Sequence, residues 1–202
     1  MEYFVEMTTH VPAGTPEETV DDIRGREAAR ARELVADGAL LRLWRPPLAP
    51  GEWRTFGLFT AEDDRGLDQT LASMPLHVWR TDVATPLLPH PNDPRNSRGA
   101  EPAEFLTTLT LTVPDGTPDQ TVDDLKAREA IRARELAAQG RLVRLWTPAN
   151  QPAQWRTLGL WSARDSAGLT ATLESLPLHV WMSVDATPLS PHPNDPVLGA
   201  RA

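Results

Sequence analysis

The chain has 202 residues, a formal net charge of −8 and a pI near 5.1. This acidic balance, with no basic block to offset it, argues against nucleic acid as a partner, because phosphate binding requires a basic surface. The absence of cysteine excludes disulfides, thiolate zinc sites, iron–sulfur clusters and a cysteine nucleophile.

The first residues predict a strand and give no sign of a targeting segment. Tyr3, Val5 and Met7 alternate with more polar neighbours, as in a strand with one buried face. The apolar core of a signal peptide does not precede this pattern. No run of the sequence approaches the ~18 apolar residues that span a bilayer. We therefore expect a cytoplasmic protein with no membrane partner.

The next predicted element is a long helix with a carboxylate in its apolar stripe. Thr15 is its expected N-cap, Pro16 its first residue, and Gly38 its end. A buried carboxylate in such a stripe is either one half of an ion pair or a working base. At helical spacing the apolar side of this helix carries Val20, Ile23, Glu27, Ala31 and Leu34.

The rest of the first copy alternates between strands and a second helix. This order, βαββαβ, is typical of the ferredoxin-like arrangement, in which two helices cover one face of a four-stranded antiparallel sheet. The predicted elements are strands at 40–44 and 53–59 joined by a proline-rich loop at 46–52, a helix from Thr60 to about Ser73, a strand within 75–87, and the tail PHPNDP at 89–94.

The whole pattern then repeats 102 positions later. Residues 11–94 align with 113–196 without a gap, with 52 identities over 84 positions, and Glu129 takes the place of Glu27. A period of this length is that of a domain, which is too long for a solenoid repeat. We therefore predict two domains, 1–94 and 104–202, joined by a linker at 95–103. The predicted fold class is α+β, with two ferredoxin-like (βαββαβ) domains packed as a pseudo-dimer resembling a dimeric α/β-barrel.

These residues resemble the muconolactone isomerase family of small ferredoxin-like proteins, which move a double bond in a butenolide without a cofactor. The resemblance rests on the spacing of Glu27, Gly38, LRLWR at 41–45, Pro-Leu at 75–76 and His-Pro at 90–91, and it covers nearly all of each copy. It implies that Glu27 and Glu129 transfer the proton, that each His-Pro tail closes a neighbouring pocket, and that fused pseudo-dimers self-assemble.

The candidate site therefore combines two catalytic carboxylates with a wall of aromatic and basic side chains. Indoles stack on flat rings, and guanidinium groups hold carboxylate or enolate oxygens. Each copy offers only two paired histidines and no close-spaced ligand motif, so we expect no metal and no cofactor. The catalytic candidates are Glu27 and Glu129, and the substrate-binding candidates are Arg42, Trp53, Arg54, His77, Trp79, His90, Arg144, Trp155, Arg156, His179, Trp181 and His192.

Each candidate also has a structural interpretation that the sequence leaves open. Glu27 can instead form a salt bridge with Arg24, Arg30 or Arg42. The tryptophans can pack an interface between sheets, where large aromatic residues are common. His77 shares an expected strand face with Trp79, where it either lines a pocket or is satisfied at a domain contact.

The leading hypothesis is a cofactor-independent isomerase that shifts a double bond by proton transfer in a small unsaturated lactone or cyclic ketone. One alternative is a cofactor-free cyclase, dehydratase or decarboxylase acting on a polyketide-like compound. Another is a non-catalytic module that binds a ligand or assembles. Trp53-Arg54-Thr55 and His77-Val78-Trp79 depart from the family's pattern on the pocket wall. For this reason muconolactone itself is not the expected substrate.

Overall fold

In the computed structural model, which describes residues 1–95, 97–149 and 155–199, each copy has the predicted βαββαβ order. The α+β class and the two ferredoxin-like copies are thereby confirmed. The first copy contains β1 (Glu2–Thr9), α1 (Glu17–Ala36), β2 (Leu40–Arg45), β3 (Arg54–Thr60), α2 (Asp64–Ala72), a 3-10 helix (Pro75–Trp79) and β4 (Arg80–Pro89). The second contains β5 (Ala103–Leu111), α3 (Asp119–Ala138), β6 (Leu142–Pro148), β7 (Trp155–Ala163), α4 (Ser166–Glu174), a 3-10 helix (Pro177–Trp181), β8 (Met182–Pro191) and the short α5 (Pro196–Gly199).

The chain forms two compact units, and each takes its tail from the other copy. Unit 1 comprises Met1–Leu87 together with the chain from Ser190 onward, and unit 2 comprises Leu88–Leu189. In unit 1, β1 lies between β3 and β4, and β3 also pairs with β2. The outer edge of β2 pairs with Ser190 and Pro191. In unit 2, β5 lies between β7 and β8, and β7 also pairs with β6.

One face of each sheet packs against its helices. Strand alternation sends every second side chain of β1 to this face, where it meets the inner stripe of α1. Ile23, Glu27, Ala31 and Leu34 are the buried residues of α1, which confirms the predicted stripe except at Val20, which is half-buried. The core of the first copy is built from Tyr3, Val5, Met7, Ala31, Leu34, Leu40, Leu43, Phe59, Leu67, Leu71 and Met74.

The glycine predicted to end the long helix does so in both copies. Gly38 has a φ of 71° and Gly140 a φ of 67°, a region that favours glycine because it has no Cβ. After α1, the Gly38 N–H donates to the Val35 carbonyl and the next N–H to that of Leu34, at 3.0 and 2.8 Å. This pair of bonds is a Schellman motif, and it turns the chain directly into β2.

The N-terminal capping prediction was wrong. Pro16 occupies the N-cap of α1, and the Thr15 hydroxyl instead donates to the Pro12 carbonyl at 2.7 Å. The second helix also begins later than predicted, because Thr60 still belongs to β3. Asp63 is the N-cap of α2, where its carboxylate accepts the Gly66 N–H at 2.8 Å.

The start of the last strand was also misplaced. Residues 75–79 form a 3-10 helix, and β4 begins only at Arg80. Pro75 cannot donate a backbone hydrogen bond to a sheet, and the Leu76 N–H is taken by the Glu27 carboxylate at 2.9 Å. His77 and Trp79 therefore do not share a strand face.

The segment predicted as a linker belongs to unit 2 and is hydrogen-bonded to the rest of that unit. Asn96 lies outside the described residues. The Ala100 N–H donates to the Gly140 carbonyl at 3.1 Å, and the Glu101 N–H to the Ser162 hydroxyl at 2.9 Å. The division at 94 and 104 stays a prediction about the repeat in the sequence. Within the described ranges no helix is both long and apolar enough to cross a membrane.

Candidate active site

The two repeated glutamates occupy the same place in the two copies. Glu27 lies in the middle of α1 and is 9% exposed, and its Oε2 accepts the Leu76 N–H at 2.9 Å. Glu129 lies in the middle of α3 and is half-buried, and its Oε2 accepts the Leu178 N–H at 3.0 Å. In each copy the long helix supplies the carboxylate and the 3-10 helix supplies its backbone donor.

In unit 1 the carboxylate belongs to a buried ion network. The Arg80 Nη1 donates to Glu27 Oε1 at 3.2 Å, and the Arg80 Nε lies 2.6 Å from Asp82 Oδ1. The Arg80 side chain is only 2% exposed and also donates to the Leu71 carbonyl at 3.3 Å. The ion-pair interpretation of Glu27 is thus correct, but Arg80 is its partner. Two of the arginines considered from the sequence bond elsewhere, Arg30 with Glu33 and Arg42 with Asp195.

In unit 2 this network is absent. The counterparts of Arg80 and Asp82 are Met182 and Val184, which bring no charge to the site. Among the residues that the structure describes, Glu129 makes no ion pair, and the Leu178 N–H is its one hydrogen-bond donor. The backbone therefore places both carboxylates in the same way, but an arginine neutralises Glu27, whereas Glu129 has no ion-pair partner among the described residues.

Burial raises the pKa of both glutamates above the ordinary value. For Glu27, the Leu76 N–H and the charge of Arg80 oppose this rise in pKa. For Glu129, only the Leu178 N–H and His179 oppose it. A carboxylate with a raised pKa is a stronger base, and it can hold a proton at a pH nearer neutrality.

Each glutamate lines a cavity within its own unit. The cavity of unit 1 measures about 240 Å³, and that of unit 2 about 440 Å³. Ala31 and Ala133, one turn beyond the glutamates, line the cavities as small side chains that leave space beside the carboxylates. Apolar side chains dominate the unit 2 wall, among them Leu109, Leu111, Leu142, Leu145, Leu176 and Met182.

The His-Pro tails cross between the copies and complete these cavities. His192 lines the cavity of unit 1, and His90 lines that of unit 2. In both tails the imidazole Nδ1 accepts a backbone N–H at 3.1 Å, from Asn194 and Asn92 respectively. A neutral ring with Nδ1 as acceptor carries its proton on Nε2, so each histidine is a donor there. Burial lowers the pKa of His90 and, with Arg45 and Arg24, that of His192 to about 4.

An arginine on the second strand of each copy anchors the tail. Arg42 donates to the carboxylate of Asp195 through Nε and Nη2, each at 3.1 Å, and Arg144 holds Asp93 through Nε at 3.1 Å and Nη2 at 3.2 Å. Both aspartate side chains are 1% exposed. The prediction that Arg42 and Arg144 contact substrate is therefore corrected: neither lines the cavity of Glu27 or that of Glu129, because each guanidinium holds its aspartate.

The other predicted binding residues divide between the cavities and the surface. Trp53 lines the first cavity, and Trp155 and Arg156 line the second. Arg54 lies outside the first cavity, where its guanidinium stands over the Phe56 ring at 5.9 Å. His77, Trp79, His179 and Trp181 lie on the 3-10 helices and line neither cavity. The structure therefore does not bring these four side chains into either cavity, and their substrate contacts stay predictions.

Four basic cavity residues were missing from the predicted site. Arg24 and Lys126 precede the glutamates by three positions, which puts them on the same helix face. Arg45 and Arg80 line only the first cavity, because Thr147 and Met182 replace them in the second copy. A comparison of the mismatches between the repeats, rather than of their identities, would have drawn attention to these positions. Within the described ranges no three histidine, aspartate or glutamate side chains converge as metal ligands do.

The sequence of both copies is similar to that of known isomerases. The sequence model of the family described as muconolactone delta-isomerase matches residues 1–93 and 103–195. The chain is 30% identical over 96 residues to muconolactone Delta-isomerase 1 of Acinetobacter lwoffii. The matched region covers 48% of this chain and 97% of that protein. It is 32% identical over 95 residues to muconolactone Delta-isomerase of Cupriavidus pinatubonensis, covering 47% and 100% respectively.

Solved structures resemble the chain along nearly its whole length. A heme-binding protein from Thermus thermophilus has a TM-score of 0.61 at 10% identity, over 100% of this chain and 95% of that one. This likeness shows the fold alone. The relatives that share sequence with the chain are isomerases, and the family model covers nearly all of both copies. The chain therefore belongs to the muconolactone delta-isomerase family.

Proposed function

We propose that the protein is a cofactor-independent isomerase that shifts a double bond in a small unsaturated lactone or cyclic ketone, with Glu129 as the base. One observation carries this proposal: Glu129 faces a cavity of about 440 Å³ and makes no ion pair with any described residue, although Lys126 and Arg156 also line that cavity. Glu27 faces a smaller cavity, and Arg80 occupies one of its oxygens.

The first step is removal of a carbon-bound proton by the Glu129 carboxylate. The electron pair of the broken C–H bond moves through the ring to the carbonyl oxygen and gives an enolate. The protonated Glu129 then returns the proton to another ring carbon, and the double bond shifts with no change in composition. A single carboxylate suffices when both carbons lie on the same face of the ring. Its raised pKa, caused by burial, suits it to both halves of the transfer.

His90 is the donor that we assign to the enolate oxygen. Its Nδ1 accepts the Asn92 N–H, so the neutral ring offers Nε2–H. A neutral imidazole donor stabilises a developing enolate without competing with the base for a proton. Arg144 and Asp93 hold the tail that carries this ring, and the Leu145 N–H adds a bond to Asp93 at 3.0 Å.

The substrate class follows from the lining of this cavity. Six leucines and Met182 form the main apolar part of it, and Thr147 and Met182 stand where unit 1 has arginines. The apolar side chains favour a small ring as ligand, and Lys126 and Arg156, which also line the cavity, add two positive charges beside it. Lys126 and Trp155 line the cavity too, with the ammonium group 4.4 Å from the centre of the indole ring.

The test is to incubate the protein with α-angelica lactone in deuterated water and follow the product by NMR. We expect the double bond to move and deuterium to enter the ring. Glu129→Gln should lower the rate by at least ~100-fold, since Gln keeps the shape but cannot accept a proton. The matched variant Glu27→Gln should lose far less activity. No exchange with any lactone or ketone would support a binding module, and loss of water or carbon dioxide would support the alternative enzymes.

A further inference from the structure

We propose that the cavity of unit 2 continues into a groove beside the start of α3, and that this groove holds a short, uncharged alkyl chain carried by the ring of the ligand. That the ring is the substrate of an isomerase rests on the proposed function; the binding of the chain does not. The inference comes from the residues that the groove shares with the cavity and from a substitution between the copies.

The groove lies beside the cavity of Glu129 and within the same unit. It measures about 750 Å³, and its described lining comes from the end of β5, the turn that follows, the first half of α3, and Trp155. Leu111, Lys126 and Trp155 line both the groove and the cavity. The two spaces therefore meet along these three side chains, and a ligand seated beside Glu129 can extend past them.

The junction between the two spaces is apolar in unit 2. Leu111 stands where the first copy has Thr9, a buried residue that lines the cavity of unit 1. On the other side of the junction the Lys126 ammonium lies 4.4 Å from the centre of the Trp155 ring. A lysine in such a contact lays its methylene stem along apolar surface and keeps its charge at the end. A hydrocarbon chain can therefore pass between Leu111 and the indole without stripping water from a hydroxyl.

The apolar surface continues from the junction into the groove. Val113 lies two positions beyond Leu111, and Val122 lies one turn before Lys126 on α3. Leu111, Val113 and Val122 are each half-buried, so each presents part of its side chain to the groove. Covering these side chains with an alkyl chain removes apolar surface from water on both partners.

The charges of the groove disfavour an anionic chain. Asp119 and Asp123 line it on the same face of α3 as Lys126, which is the single cation in its described lining. A carboxylate at the end of the chain would meet two like charges. The N-terminus of a helix attracts anions, but Asp119 already occupies the first turn of α3. The chain that suits this groove is therefore uncharged.

The experiment measures binding to the full chain by calorimetry with two saturated lactones that cannot isomerise. γ-Decalactone carries a hexyl chain on the ring, and γ-valerolactone carries a methyl group. We expect γ-decalactone to bind at least tenfold more tightly. A carboxylate at the end of the hexyl chain should remove this gain.

Matched variants place the chain in the groove. Val122→Gln and Leu111→Thr, the second of which copies the first unit, should each reduce the preference for γ-decalactone at least fivefold. Val20→Gln, the counterpart of Val122→Gln in unit 1, should leave the preference intact.

Equal affinity for the two lactones would overturn the proposal. So would a preference that survives both Val122→Gln and Leu111→Thr, or one that only Val20→Gln removes, because the chain would then lie elsewhere. Equally tight binding of the carboxylate-ended chain would show that the acidic residues do not select against an anion, and would overturn the uncharged chain.

Activity separates this proposal from the proposed function. Glu129→Gln should lose isomerisation of α-angelica lactone and keep its preference for γ-decalactone. If the native protein isomerises α-angelica lactone but shows no preference between the saturated lactones, the groove is wrong and the function stands. If it isomerises neither unsaturated lactones nor ketones and Val122→Gln still removes the preference, the groove stands and the function is wrong.

Discussion

The cavities of units 1 and 2 have the same backbone fold, but different charged residues surround their glutamates. Each carboxylate accepts one N–H from a 3-10 helix, but only Glu27 also has an arginine at 3.2 Å. Burying a lone carboxylate is costly, and an arginine removes most of that cost while it weakens the base. Position on the fold therefore does not decide whether a buried carboxylate is structural or catalytic; its neighbours decide.

The largest effect is expected when Arg80 is replaced by its counterpart in the second copy. Arg80→Met would leave the buried carboxylates of Glu27 and Asp82 without a cation, which costs about 3–5 kcal/mol of stability at neutral pH. Burial already raises the folded-state pKa of Glu27, and without Arg80 it would rise further, so the deficit should shrink as the pH falls toward about 4. Urea unfolding at two pH values measures both.

A paired variant sharpens this first prediction. Arg80→Met combined with Asp82→Val reproduces the second copy's residues and removes one of the stranded charges. It should recover part of the lost stability. If the double variant is no more stable than the single one, the ion network has been misassigned.

The second prediction transfers the arginine to the other copy. Met182→Arg should pair with Glu129, lower its pKa and reduce isomerisation by about 10- to 100-fold. Since an opposite charge favours the ionised carboxylate, the acidic limb of the pH–rate profile should move to lower pH. Met182→Leu, which adds no charge, is the control. Unchanged activity in Met182→Arg would argue that Glu129 is not the base.

The third prediction compares the two tail anchors. Asp93→Asn and Asp195→Asn each remove the charge from a buried arginine contact, and each should cost about 1–3 kcal/mol of stability. Activity should separate them: only Asp93 positions His90, so only Asp93→Asn should also lower the turnover, by about tenfold. A rise in KM with turnover unchanged would indicate a role in binding alone.

The smallest effect is expected at the ends of the two long helices. A Cβ on Gly38 meets nothing within 4 Å, whereas one on Gly140 would lie 2.7 Å from the Ala100 Cβ and 2.8 Å from the Arg98 carbonyl. Both positions have positive φ, so Gly38→Ala should cost about 1 kcal/mol. Gly140→Ala should cost about 1 kcal/mol more, because it also overpacks. Thermal unfolding of the two variants tests whether residues 98–100 are held as firmly as this contact requires.

Much of the fold could be predicted from the sequence because its signals are local. The stripe through Ile23, Ala31 and Leu34 gave the buried face of α1, and Gly38 gave its end. The 3-10 helix at Pro75–Trp79 was not predicted because it depends on a distant residue. The Glu27 carboxylate, which accepts the Leu76 N–H, is 49 positions away in sequence. No local pattern carries that information.

The site was harder to predict for a related reason. The glutamates could be found because a charge breaks an apolar stripe. Arg42 was misassigned because the alternation of β2 predicts only the face of the strand to which its side chain points. Its partner, Asp195, is 153 positions away in sequence. The difference between Arg80 and Met182 was visible in the repeat, yet its meaning depended on knowing that this position touches the glutamate.

The exchanged tails have a consequence for how such a duplicated protein can be altered. The tail sequence PHPNDP is identical at 89–94 and 191–196, although each serves the cavity of the other copy. A genetic crossover within this segment would give each cavity the same histidine and aspartate as before. All that distinguishes the two cavities is therefore encoded upstream, within a single copy each. Mutations within one repeat can therefore change the ligand of one cavity, while the PHPNDP tail that closes it stays the same.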